Sequence, residues 1–297
     1  MLVVKEGIRK SDLTKSKDKL ESMLNIKWID LSQKTEDKLK KLKPSIFNYD
    51  LKFGSKAIWG DKEIFDIMPN FTPEQLNLRE AEILFFTRLY TFLGSLDKDG
   101  FEQGVDGEAA RFFRNQMAKA TLAIVDILLL QKAAFHTSYR KRVLIFKELY
   151  SDRLELVKLA EWAVEEKINP KAPKMSKEEV TDLYQPILTN YLSEVKIALS
   201  KLYGTNIRNI DDLRKAKKYS FNEIVVQLKS LILARTLSPY RKGMAMKFAQ
   251  AYIAEAYLSN DEDAHKKLLK AAGLINKLGK STPTIDWNEL RLLSIPK

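Results

Sequence analysis

The chain has 297 residues, of which 45% are apolar and 30% charged; this supplies about two globular domains and excludes disorder as a global description. It contains no cysteine, which excludes disulfides, thiolate metal sites and cysteine nucleophiles. Its net charge of +12, from 51 Lys+Arg against 39 Asp+Glu, suits a surface that attracts phosphates. Lysine outnumbers arginine and is spread along the whole chain, which assigns most of that charge to solvated helix faces. The longest apolar run, Leu122 to Leu130, is broken by Asp126 and falls far short of the roughly 20 residues that span a bilayer. No membrane partner and no signal peptide are expected, and cytoplasmic residence is the expected localisation.

Taken in chain order, Leu2 to Val4, Ser11 to Leu24 and Ile26 to Leu31 predict strand, helix and strand, the signature of a short parallel βαβ unit. A short helix is predicted over Thr35 to Leu42. The alternation from Ile46 to Trp59 predicts one or two further strands, with a bend at Gly54-Ser55. The period then becomes helical. Leu78 to Leu93 is one such segment, and Glu108 to Lys132 is a central helix with Phe112, Phe113, Met117, Leu122, Ile124, Ile127 and Leu128 on its apolar face. Ser138 to Leu149, Arg153 to Lys167, Lys177 to Tyr203, Phe221 to Leu237, Pro239 to Leu258 and Ala264 to Leu278 complete the helical set. Asn169-Pro-Lys-Ala-Pro-Lys174 is the clearest linker. The expected architecture is mainly α with a small N-terminal α/β portion: an α/β region over 1–70, a helical bundle over 71–170 and a C-terminal helical region over 171–297.

Among candidate sites, Asp30 is the strongest carboxylate. On a strand it shares a face with Ile26 and Trp28, at the edge of a core where a divalent cation can be held. Its structural alternative is a strand end or helix cap formed with Ser32. Tyr139, Arg140 and Arg142 at a helix start form a candidate phosphate cradle, because the backbone N–H groups there already favour anions. The same residues also suit ordinary surface chemistry.

The loop Asp97 to Glu108 places acids at the first, third and twelfth positions of a calcium-type loop. It has Glu102 where that loop needs glycine, so a mobile polar connection is expected. His136 and His265 are the only histidines; neither has metal-ligand spacing, and His136 is expected at a helix junction. No G-x-x-x-x-G-K or G-x-G-x-x-G phosphate loop occurs.

The order strand, helix, strand with Asp30, followed by Ile46-Phe-Asn-Tyr-Asp-Leu-Lys-Phe-Gly-Ser-Lys-Ala-Ile-Trp-Gly-Asp61, resembles the back half of a polymerase-β-like nucleotidyltransferase domain. The segment from Glu108 to Arg142 is similar to the helical region that accompanies such domains in a prokaryotic branch. The residues that carry this are Arg114, Lys119, Ala120, Asp126, Leu128 to Leu130, Ser138, Tyr139 and Arg142. The resemblance implies a partial nucleotidyltransferase-like sheet followed by a helical bundle. It also implies Mg2+ and a nucleoside triphosphate as cofactors, and nucleotide transfer to an acceptor as the ancestral reaction.

The resemblance gives Asp30 the role of the third of three metal-binding aspartates. The family's Gly-Ser and Asp-x-Asp are not found, and Gly54-Ser55 follows Asp30 in the wrong order to stand for the former. The expectation is a chain that starts after the catalytic motif and is incomplete or inactive by itself. A sheet edge left exposed where preceding strands are absent would allow homo-oligomerisation. The alternatives are a non-enzymatic helical scaffold or interaction protein, in which the small sheet packs against the bundle, and, ranked last, a basic nucleic-acid-binding protein.

Overall fold

The computed structural model describes residues 2–4, 6–25, 29, 31–217, 225, 239–279 and 285–295. The expected helix over Phe221 to Leu237 lies almost wholly outside these residues. The chain divides into two units, Met1–Asn77 and Leu78–Lys297.

In the first unit β1 (Leu2–Val4) and β2 (Gln33–Thr35) pair in parallel, with Val3 opposite Lys34, and α1 (Lys10–Leu24) lies between them in sequence. The βαβ unit is therefore present, but its second strand is Gln33–Thr35, while Ile29 and Leu31 belong to no strand. The Gln33 side chain explains where pairing starts. It accepts from the Ile8 N–H at 2.8 Å and donates to the Ile8 carbonyl at 2.5 Å, fixing the first residue of β2 against the chain that leaves β1. α1 ends at Asn25, whose left-handed conformation (φ 50°) asparagine tolerates better than most residues.

α2 (Glu36–Lys40) follows as expected. The strands expected over 46–59 are corrected: Ile46–Gly54 is a helix, α3. Its apolar and aromatic residues satisfy either period over so short a run, and local chemistry decides. The Ser45 hydroxyl accepts from the Asn48 N–H at 3.1 Å as an N-cap, and Tyr49 and Phe53, four residues apart, bring their ring centroids within 4.8 Å. Leu39, Leu51, Met68 and Phe71 form the buried centre of this unit.

The second unit opens with α4 (Arg79–Leu93) and α5 (Lys98–Gln103). The segment expected to be a mobile polar connection is instead a capped helical turn, in which the Asp97 carboxylate accepts from the Gly100 N–H at 2.8 Å. Gly104 then takes φ 90°, and a Cβ there would sit 2.3 Å from the Met175 carbonyl oxygen. Only glycine lets Val105 and Met175 exchange two backbone hydrogen bonds, of 2.9 and 2.8 Å.

α6 (Gly107–Leu130) is the centre of the unit, with every residue from Ala120 to Leu130 buried. It packs against α4, α7 (Tyr139–Leu149), α8 (Leu154–Ile168) and α9 (Lys177–Tyr203). Phe112, expected on its apolar face, is half exposed. The 169–174 segment, the expected boundary between bundle and C-terminal region, joins α8 to α9 inside the second unit, and residues from both sides share one core. α10 (Ile210–Ala216), α11 (Pro239–Tyr257), α12 (Asp261–Asn276) and α13 (Trp287–Ser294) complete the described helices. α13 returns to the first helix of the unit, where the fully buried Arg291 donates to the Leu93 carbonyl at 2.5 Å and to that of Leu96. No helix among the described residues is long and apolar enough to cross a membrane.

The core is rich in phenols. Tyr184 and Tyr191 are fully buried, and burial raises the pKa of both hydroxyls. Tyr252 is pushed up to about 12, first by burial and then by the Asp211 carboxylate that accepts its hydroxyl at 2.6 Å. These folded-state values stand above the unfolded value near 10, so the stabilisation is whole below about pH 10 and is lost as pH rises through the folded values. Denaturant midpoints taken from pH 8 to 12 should therefore fall above about pH 10, and fall less steeply in Tyr191→Phe. An equal slope in the two proteins would contradict this account.

Candidate functional site

Asp126 interrupts the apolar run of α6, and the structure shows what it meets. Arg142, one turn into α7, is 2% exposed and donates from one terminal nitrogen to both Asp126 oxygens, at 3.1 and 3.3 Å. Its Nε donates to the His136 carbonyl, and its other terminal nitrogen to the Thr137 carbonyl at 3.3 Å. The guanidinium lies 4.1 Å from the Phe135 ring centroid and 5.0 Å from that of Tyr139. His136 sits at the junction as expected, its Nδ1 accepting from the Ser138 N–H at 2.9 Å, and Ser138 caps α7.

The expected phosphate role of Arg142 is thereby corrected. The partner of this arginine is the protein's own carboxylate, and both its charge and its planar donor fork are engaged inside the unit. Of the expected trio, Tyr139 and Arg140 stand exposed at the start of α7. Asp30 lies outside the described residues. Among the described residues no group of three or more His, Asp or Glu side chains is placed to hold a metal ion.

A second arrangement was not visible in the sequence. Arg111, Asn115 and Lys119 recur every four residues along α6 and so share one face. Lys167 at the end of α8 donates from Nζ to Asn115 Oδ1 at 3.2 Å. The pKa of Lys119 is lowered by burial and then by the Arg88 charge on α4; that of Lys167 is lowered by burial and then by Lys119 and Arg88. Three cations from three helices thus repel one another in a partly buried place.

Among the described residues none of these three is paired with a carboxylate, and the buried Arg88 Nε has no hydrogen-bond partner. The nearest acid in sequence, Glu166, is taken: Arg114 Nε donates to it at 3.0 Å and the Lys171 N–H at 3.0 Å. Beside the cluster lies an open cleft of about 410 Å³ lined by Glu108, Arg111, Phe112, Asn115, Lys167 and Pro170.

Lys119 entered the sequence reading only through the resemblance, and Arg88 and Lys167 not at all. The four-residue stripe on α6 was the one local signal. The convergence of α4, α6 and α8 depends on packing between segments up to about eighty residues apart. Comparison of the chain with protein-family models, with curated proteins and with solved structures finds no match.

Proposed function

We propose that this chain is a nucleotidyltransferase-family protein that binds a magnesium–nucleoside triphosphate weakly, with Asp30 as a metal-binding carboxylate. Transfer of a nucleotide to an acceptor hydroxyl is the ancestral reaction. One observation carries this reading. Asp126, Ser138, Tyr139 and Arg142, on which the resemblance rests, come from two helices and meet in a single cluster around the Asp126–Arg142 pair. Helical periodicity alone does not require that meeting. The cluster fixes the corner between α6 and α7 and leaves Tyr139 and Arg140 exposed at a helix start, where a phosphate finds N–H donors and the Arg140 cation.

Two-metal phosphoryl chemistry needs several carboxylate oxygens converging on one point, and a single aspartate supplies too few. The expected behaviour is therefore weak binding without turnover. Calorimetry with ATP, with and without Mg2+, tests it. A small magnesium-dependent gain in affinity should be abolished by Asp30→Ala. Magnesium-dependent binding in the low micromolar range that survives Asp30→Ala would overturn the assignment.

A further inference from the structure

We propose that the cleft between α6 and the end of α8 binds an organic phosphate in the absence of any metal ion. Its phosphates would sit at Lys167 and Asn115, with Lys119 one turn further along α6, and its planar body against Phe112. This inference stands apart from the role given to Asp30.

Like charges gathered in a partly buried place destabilise the protein that carries them, because each ammonium loses water and gains a repelling neighbour. Lys119 and Lys167 show both effects in that order. An anionic ligand reverses the sign of the neighbouring charge and gives the donors acceptors. The buried Nε of Arg88, which has no hydrogen-bond partner, belongs to the same energetic imbalance.

The cleft gives the ligand a shape as well as a charge. Asn115 and Lys167, already 3.2 Å apart, lie in its wall and connect it to the cation cluster. Lys119 is one helical turn further along α6 from Asn115. Phe112, half exposed, and Pro170 offer the apolar part of the same wall. Arg111 is there too, bound to Glu108 at 2.8 Å on the outer rim. An exposed aromatic ring beside several cations matches a molecule that is planar and apolar at one end and multiply anionic at the other.

Nucleoside triphosphates and inorganic polyphosphate share the anionic chemistry, and Phe112 separates them. In magnesium-free buffer, calorimetry should detect both ATP and inorganic tripolyphosphate, with ATP the tighter. Lys119→Met and Lys167→Met should each weaken both about tenfold, the scale of one charge-assisted hydrogen bond. Phe112→Ala should weaken ATP alone, and Asp30→Ala should leave both unchanged.

The two methionine variants should also melt at a higher temperature than the unsubstituted protein when no ligand is present, since each removes a repelling charge and keeps an apolar stem. That rise separates a ligand site from a purely structural lysine, whose loss lowers the melting temperature. Absence of tripolyphosphate binding at millimolar concentration, equal binding by the methionine variants, or a lowered melting temperature in them would overturn the proposal.

Discussion

Replacing Arg142 by alanine is expected to destabilise the helical unit by about 3–5 kcal/mol, the range seen when one partner of a buried ion pair is removed. The loss comes from what remains. Asp126, 7% exposed and set among the apolar residues of α6, loses the guanidinium that compensates its carboxylate. The carbonyls of His136 and Thr137 lose a donor at the same time. Attraction within the pair is the smaller part of the effect, because bringing two charges out of water offsets much of it. The double variant Asp126→Leu, Arg142→Met should accordingly cost less than the sum of the single changes, and that non-additivity is what unfolding in denaturant would measure. An Arg142→Ala protein within about 1 kcal/mol of the parent would show that the cluster is not holding the α6–α7 corner.

Arg291→Met is expected to have an effect of similar size, by a different route. The last turn of any α-helix leaves carbonyls without intrahelical partners and carries the negative end of the helix dipole. α4 ends at Leu93, and the donors reach that end from α13 through Arg291, which also bonds Leu96 and, at 3.2 Å, the Asn288 side chain. The guanidinium lies 5.0 Å from the ring centroid of Phe101 and 5.3 Å from that of Trp287. Burial lowers the pKa of this group, and the nearby Tyr184 and Asp97 act against that shift.

Methionine fills much of the volume but leaves two buried carbonyls without their donor, a loss of about 1–3 kcal/mol each. Arg291→Lys should recover only part of the loss, because an ammonium lacks the planar fork and the stacking. Hydrogen exchange should report where the damage lies, with protection falling first in α13 and the last turn of α4. Unchanged protection there in Arg291→Met would contradict the account.

The long helices were legible because each buries one stripe or more, and the 3.6-residue period survives in the sequence: α4, α6, α8 and α9 begin and end within about three residues of their expected limits. Short elements were not. Ile46–Gly54 holds too few residues for its period to separate helix from strand, and the Ser45 cap that decides the matter is a single hydroxyl. The stretch after Asp97 reads as a polar connection because its acids and glycines show no apolar period, whereas in the fold it forms a capped turn in which Gly100 lies in a tight place facing Leu96 and Val105.

The site was less legible still. Tyr139, Arg140 and Arg142 look alike as a local string, yet one is buried against a carboxylate sixteen residues earlier and the other two face solvent. No local pattern announces such a partner. The three cations on α4, α6 and α8 are invisible for the same reason, since sequence spacing relates residues within an element and not across a packed core.

The return of α13 onto α4 also sets an order on synthesis. The acceptor at Leu93 and the donor on Arg291 are separated by 198 positions, so a ribosome adding about 5–20 residues per second exposes the end of α4 for about 10–40 s before its donor exists. Through that interval the most buried arginine contact among the described residues is missing. Docking of α13 onto the end of α4 therefore waits for a helix made long after α4 itself.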